Sequence, residues 1–453
     1  MKLVKDILKM LNSNILMLLS NILISILLPM TLSVEGYGQY RQYILYIGYI
    51  AILNFGFIDG IYIKYGGKDL KSNSKEIRQE HKFLIYFQSI ITIIMVSFSI
   101  LIDDKILLLL SFSIIPLNIG GFHKILYQST GQFSLLSKVN IFFSVFNLIF
   151  VGALMQFNIE NAFYYIFSTL LAHTLILLIT EYHFIKTTKE FINSSNIKYL
   201  EHFKVGIFIL LANLSILLFN NMGTWIVNIF LSIQKFASYS FAMSMLNMIL
   251  ITVSSVGLTF YNFLARNEDI KIIKLTKNIL IILGALAGNL FFFLKFFIIQ
   301  FIPKYTESLE IIAISLVNLP YIMIINVIIN NLYKARKKER KFLWVVLKML
   351  FVSFLLNILF YKIFNSLEMI ALASTISFIF WYFYCINTDF KFIKSGLKEI
   401  SFLVLHFILF LGCANFLNLF LGWIIYFVLI CIFIFFFFYK DMKGFLIILK
   451  NNL

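Results

Sequence analysis

The feature that leaves this chain the fewest options is a series of apolar runs, each close to the length a helix needs to cross a bilayer. About 20 apolar residues of helix span a hydrocarbon core roughly 30 Å thick. Fourteen runs can be drawn: 12–31, 41–62, 83–102, 106–124, 139–157, 162–181, 205–230, 237–260, 278–300, 310–332, 342–363, 369–387, 401–420 and 422–439. Inside lipid every backbone polar group must be paired within its own segment or around a closed barrel. The runs are continuous rather than alternating, so they predict helices. The expected class is an all-α polytopic membrane protein with about 14 transmembrane helices. Composition agrees, since 61% hydrophobic and 13% charged residues lie far outside the range of a water-soluble domain. The first run is too long for a signal peptide and lacks a small-residue cleavage site, so it is expected to remain as structure.

A net charge of +17 would suit a nucleic-acid binder, but the positions of the cations favour membrane orientation. With the N-terminus in the cytoplasm, 31 of the 38 Lys and Arg residues fall on inner segments, among them "KARKKERK" at 334–341. That is the positive-inside rule, with anionic lipid as the partner of the basic runs. The expected location is a cytoplasmic membrane with both termini inside, and no nucleic-acid partner. The loops are too short for a soluble domain, and no phosphate-binding G-x-x-x-x-G-K-[ST] occurs. Cys385, Cys413 and Cys431 all fall in apolar runs and read as small buried residues. No Cys/His group has metal-ligand spacing, so neither a metal nor a cofactor is expected. The lone His173 and His406 read as core residues.

The chain repeats itself. "LSVEGYGQY" at 32–40 is echoed by "LSIQKFASY" at 231–239, each in a gap between two runs. The preceding helices match in register: Asn14, Asn21 and Ser25 in the first, Asn213, Asn220 and Thr224 in the seventh, each pair 199 positions apart. Positions i, i+7 and i+11 lie within about 40° on a helix, so each helix bears one narrow polar stripe, continued in the seventh by Asn228. Weaker echoes follow in order: "LYQ" at 126–128 with "LYK" at 332–334, Asn147 with Asn357, Ser168-Thr169 with Ser374-Thr375, and Pro116 with Pro320. We read a duplication of six helices, with lobes at 1–204 and 205–400 and an extra helix pair with a tail at 401–453. An even number of helices gives both halves the same orientation, as in transporters built of parallel repeats.

Polar stripes in lipid face protein or water. They either glue helices together or line a cleft between two lobes. The eighth run adds Ser240, Ser244, Asn247 and Ser255 at helical spacing, and the 199-residue offset sets Arg41 opposite Ser240. Arg41, Lys295 and Lys348 each have two open readings, snorkelling to headgroups or contact with an anion in the cleft. No Asp or Glu is central to a run. The candidate cleft residues are therefore Asn21, Ser25, Arg41, Asn220, Thr224, Asn228, Asn247, Lys295 and Lys348, a neutral-to-cationic set suited to an anionic, sugar-rich cargo.

With these residues in view, the chain resembles the polysaccharide repeat-unit (O-antigen/capsule) flippases of the multidrug/oligosaccharidyl-lipid/polysaccharide exporter superfamily. The likeness is carried by "EGYGQY" (35–40), "NFGFIDGIYIKYGG" (54–67) and the seventh and eighth runs ending in "FYNFLAR" (260–266). It implies two six-helix lobes, alternating access, no enzymatic activity, and an undecaprenyl-diphosphate-linked oligosaccharide moved to the outer leaflet. Polysaccharide polymerase and chain-length proteins would be its partners. Family members often have twelve helices; a count of fourteen resembles the related lipid II flippases, whose extra pair suits a lipid tail. Other functions stay open: a multidrug or other lipid-linked precursor exporter of the same superfamily, a membrane polymerase or glycosyltransferase, and a scaffold without transport. A multidrug exporter would carry an acid in the first helix, and 12–31 holds none. A membrane polymerase or glycosyltransferase would need catalytic groups on sizeable outer loops, where Asp103-Asp104 is the only tempting pair.

Overall fold

A computed structural model describes residues 2–188, 198–266 and 269–452, with side chains over 13–188, 198–250 and 269–444. Every regular element among them is a helix. Eleven helices are long and apolar enough to cross a membrane, and two bent pairs bring the number to thirteen. The remaining expected run, 237–260, lies on a helix whose side chains are described only to residue 250; Ser255 and the 260–266 stretch fall beyond that point. The protein is an all-α, multi-pass membrane protein.

The chain divides into two compact units, Met1–Leu217 and Leu218–Leu453. The first contains α1 (Lys2–Thr31), α2 (Val34–Ile47), α3 (Phe57–Tyr65), α4 (Ser74–Leu101), α5 (Lys105–Ser129), α6 (Phe133–Gln156), α7 (Ala162–Thr187) and most of α8 (Tyr199–Asn220). Here α1 packs on α6, α2 on α5 and α7, α4 on α5, and α7 on both α5 and α6. The second contains α9 (Met222–Phe230), α10 (Ile233–Arg266), α11 (Ile270–Ala287), α12 (Leu290–Phe301), α13 (Ser308–Leu316), α14 (Leu319–Ile324), α15 (Asn330–Ala335), α16 (Glu339–Phe364), α17 (Leu367–Thr388), α18 (Leu397–Phe416) and α19 (Leu419–Asn452). Its contacts follow the same plan: α9 on α16, α10 on α13, α11 on α14, and α17 on both α13 and α16. The last pair, α18 and α19, packs on itself and on α11 within this second unit.

The echoed loop is a helix start written twice. Ser33 Oγ accepts from the Gly36 amide at 3.0 Å, and Ser232 Oγ from the Lys235 amide at 3.4 Å. A serine in this place satisfies one of the amides left free in a first helical turn. One turn further on, Tyr37 and Tyr40 in one unit and Phe236 and Tyr239 in the other are buried. Asp104, Asn161, Asp269 and Ser366 cap later helices in the same way.

Lipid removes most of the hydrophobic drive between helices, so close approach of small residues has to hold them together. The stretch 54–67 shows this. Its span is bent by 65° between Asn54 and Phe57, where Gly56 adopts φ +82°. Gly56 and Gly60 then let α3 lie directly on α8: a Cβ added to Gly206 would sit 1.7 Å from the Gly56 carbonyl oxygen, and one added to Gly60 would sit 2.4 Å from that of His202. This contact holds the first part of α8 within the first unit. Alongside, the fully buried Glu80 accepts from Lys64 Nζ at 2.6 Å and Tyr65 Oη at 2.8 Å. His202 Nε2 lies 2.8 Å from the same carboxylate. His406 is buried between Phe410 and Tyr426. Cys385 and Cys413 are buried, whereas Cys431 is exposed on α19, contrary to expectation, because most of that helix surface has no protein neighbour.

Candidate functional site

In the second unit the helix breaks surround a polar pocket. The first break is at Asn221, between α8 and α9. The second is at Val317–Asn318, where α13 and the following helix meet at 50°. Pro320 sits just beyond it and has no amide to continue the helical ladder. Its ring packs on α11, where Gly284 leaves the space: a Cβ there would lie 2.6 Å from the Pro320 Cα. A single π-helical turn, Ile325–Ile329, follows; such turns are frequent at functional sites.

These breaks turn amides and hydroxyls toward a cavity of about 90 Å³ lined by Asn220, Asn221 and Thr224, by Tyr239 and Asn247 of α10, by Ser315, Asn318 and Asn326, and by Ser374 and Thr375 of α17. Among the described residues the lining holds no charged side chain. Gly223 is needed here, because a Cβ would fall 2.2 Å from Tyr239 Oη and 2.8 Å from Ser374 Oγ. Ser374 donates to Asn357 Oδ1 at 3.0 Å, and Thr375 to the Ile314 carbonyl at 3.2 Å. Asn318 is 3% exposed, and its Oδ1 has no hydrogen-bond partner among the described residues. A buried acceptor without a donor costs about 1–3 kcal/mol, so this oxygen is the atom in the pocket most in need of a ligand or water. About 10–15 Å³ of such space holds one water, and a drug-sized ligand needs 300 Å³ or more. The pocket can therefore take several waters, a hydrated ion, or one polar arm of a larger molecule.

Of the nine residues expected from the sequence, Asn220, Thr224 and Asn247 meet in this pocket. Asn228 lies one turn beyond Thr224 on α9 and is half-buried outside the lining. Lys295 is engaged within its own unit: Nζ donates to the Ala414 carbonyl at 2.9 Å and lies 5.8 Å from the Phe291 ring centre. Ala414 is in the last turn of α18, where a cation satisfies free carbonyls. Lys348 is exposed on α16. In the first unit, Asn21 is exposed on α1 and Ser25 is half-buried. Arg41 is half-buried on α2, with its Nε buried and without a hydrogen-bond partner among the described residues.

The sequence reading missed Asn221, Asn318 and Asn326 as site residues. The echoes did carry part of the signal. The repeated Tyr and the repeated Ser-Thr pair meet in each unit, with Tyr40 beside Thr169 and Tyr239 beside Ser374.

No protein-family model and no curated protein sequence matches this chain. Solved structures do. A lipid II flippase, MurJ, in an inward closed conformation superposes with a TM-score of 0.71 at 16% identity, covering 97% of this chain and 100% of that one. This chain has the MurJ fold. A Vibrio cholerae MATE transporter, VcmN, superposes with a TM-score of 0.48 at 12% identity, covering 87% of this chain and 99% of that one. A MATE protein in complex with Br-NRF gives 0.46 at 12% identity, covering 88% and 96%.

Proposed function

We propose that this protein is a flippase of the multidrug/oligosaccharidyl-lipid/polysaccharide exporter superfamily. Its cargo is a lipid-linked oligosaccharide, specifically an undecaprenyl-diphosphate-linked repeat unit for O-antigen, capsule or exopolysaccharide. The protein moves it across the cytoplasmic membrane by alternating access of two six-helix lobes and hands it to a polymerase and its chain-length partner. The observation that carries this reading is the end-to-end match to the fold of a protein named as a lipid II flippase. Two features of the chain support it. The described lining of the polar pocket has no carboxylate, so it offers no fixed negative charge to attract a cationic drug. Its size suits one hydroxyl or acetamido arm of a sugar, and Asn318 Oδ1 would accept from such a group. On this reading Asn220, Thr224, Asn247 and Asn318 meet sugar, while Arg41 and Lys348 meet the diphosphate.

The test is the leaflet in which the lipid-linked oligosaccharide resides. Depletion of this protein should trap it in the inner leaflet, out of reach of an externally added glycosidase, and re-expression should restore access. Unpolymerised units already in the outer leaflet of depleted cells would point to a polymerase. Dye efflux on expression, with no change in sugar-lipid, would point to a drug exporter.

A further inference from the structure

Away from the polar pocket, the N-terminal end of α4 and the C-terminal ends of α5 and α7 bring three metal-ligating side chains together. His123 Nε2 is 2.8 Å from Glu181 Oε2, and His81 Nε2 is 3.1 Å from the same oxygen. The three donor atoms lie within 4.8 Å of one another. The rings are held in place: His81 and His123 have centroids 5.1 Å apart, and both pack on Phe184, at 4.7 and 5.0 Å.

We propose that His81, His123 and Glu181 form a Zn²⁺ site that braces the ends of α4, α5 and α7. A simple hydrogen-bonded triad satisfies only part of the cluster. His123 Nε2 is hydrogen-bonded to the carboxylate, whereas His81 Nε2, 3.1 Å from the same oxygen, falls short of hydrogen-bond geometry among the described residues. His81 is 4% exposed, and its Nε2 is buried. A metal ion would take both nitrogens and the carboxylate at once. Tetrahedral zinc with bonds near 2.0–2.2 Å sets its ligand atoms about 3.3 Å apart, so the 2.8 and 3.1 Å separations from Glu181 Oε2 open by about half an ångström or less, and the two imidazole nitrogens already lie within 4.8 Å of each other. Two imidazoles and a carboxylate suit zinc and exclude Mg²⁺ and Ca²⁺, which take oxygen ligands.

The fourth position has room. His81 and Glu181 line one side of an open groove of about 570 Å³, whose other lining includes Lys75, Arg78 and Lys82. Arg78 is partly engaged, donating to the Thr188 carbonyl at 3.2 Å. His183 neighbours the cluster from α7. Lys75, Arg78 and Lys82 weaken the site for a bare ion and favour hydroxide or a small anion as the fourth ligand.

The test uses the full-length protein in detergent, stripped with chelator and reloaded with Zn²⁺ or Co²⁺ alone. Elemental analysis after gel filtration should find one zinc per chain, and the cobalt form should show the intense visible bands of tetrahedral coordination. His81→Ala, His123→Ala and Glu181→Gln should each weaken binding by about tenfold or more. His202→Ala, which alters the separate Glu80 network, should leave it intact. Zinc should raise the melting temperature of the parent protein and not that of the triad variants. Absence of retained metal, octahedral cobalt, or binding that survives all three triad variants would overturn the assignment. Should a variant fail to fold, the cobalt spectrum of the parent protein decides by itself. The result is independent of what the protein transports.

Discussion

The two units repeat one plan, yet they break different helices. In the first, the second span bends by 65° and the fourth, α5, continues unbroken through Pro116. In the second, the second span is the continuous α10 and the fourth bends by 50° before Pro320. The proline is therefore not what decides a break. At the second span, Gly48 and Gly56 of the first unit stand where the other has Asn247 and Ser255, and glycine permits the left-handed turn at Gly56. At the fourth span, a 204-residue offset sets the buried Ile114 and Phe122 against Asn318 and Asn326. One unit fills that space with hydrocarbon, and the other lines it with amides. Gly223 in place of Ile24 completes the pocket. Ionic clusters are found in both units, around Glu80 and Glu181 in the first and between Lys277 and Glu399 in the second.

That contrast can be broken at several points. The largest effect is expected at the glycine contact in the first unit. Gly206→Ala would drive a methyl into the backbone of α3, which cannot yield as a side chain would. A loss of about 4 kcal/mol should appear as a collapse of the monodisperse gel-filtration peak on mild heating, whereas Gly412→Ala, with open space around it, should be silent. Next comes Glu80→Ala. It strands Tyr65, His202 and part of the Lys64 interaction, and should cost about 3 kcal/mol by thermal denaturation in detergent.

A swap between the units tests function more than stability. Asn318→Ile gives the second unit the first unit's residue. It removes an unpaired buried oxygen, so the melting temperature should hold or rise. Transport in the leaflet assay should nonetheless fall by about tenfold, near 1.4 kcal/mol. Unchanged transport would mean that the pocket is only a packing defect.

The smallest effect concerns acid. Burial alone would raise the Asp389 carboxyl, but hydrogen bonds from Lys341 and Tyr333 hold it below the usual aspartate range. A lowered value in the folded state stabilises above the ordinary aspartate pKa, and the gain disappears as pH falls through the folded value. Stability should be flat between about pH 5 and 8 and drop below about pH 4. Asp389→Asn should flatten only that acid limb.

What could be read from residue order alone was whatever depends on neighbours within a few turns. Runs of about 20 apolar residues become helices because lipid leaves the backbone no other way to pair. Capping serines and the polar positions Asn213, Asn220 and Thr224 follow local spacing, so their echo of Asn14, Asn21 and Ser25 survives in the letters. The pocket, the glycine contact and the His81–His123–Glu181 cluster were decided only by packing. Their partners come from separate helices, 58 residues apart for His123 and Glu181 and 122 for Glu80 and His202. Lys295 shows the same limit: a lone lysine in "FFFLKFF" looks available for an anion until the folded chain brings the end of α18 against it. An apolar sequence dictates that helices form, but which of their rare polar groups meet depends on where each helix bends and on which small residues let two backbones touch.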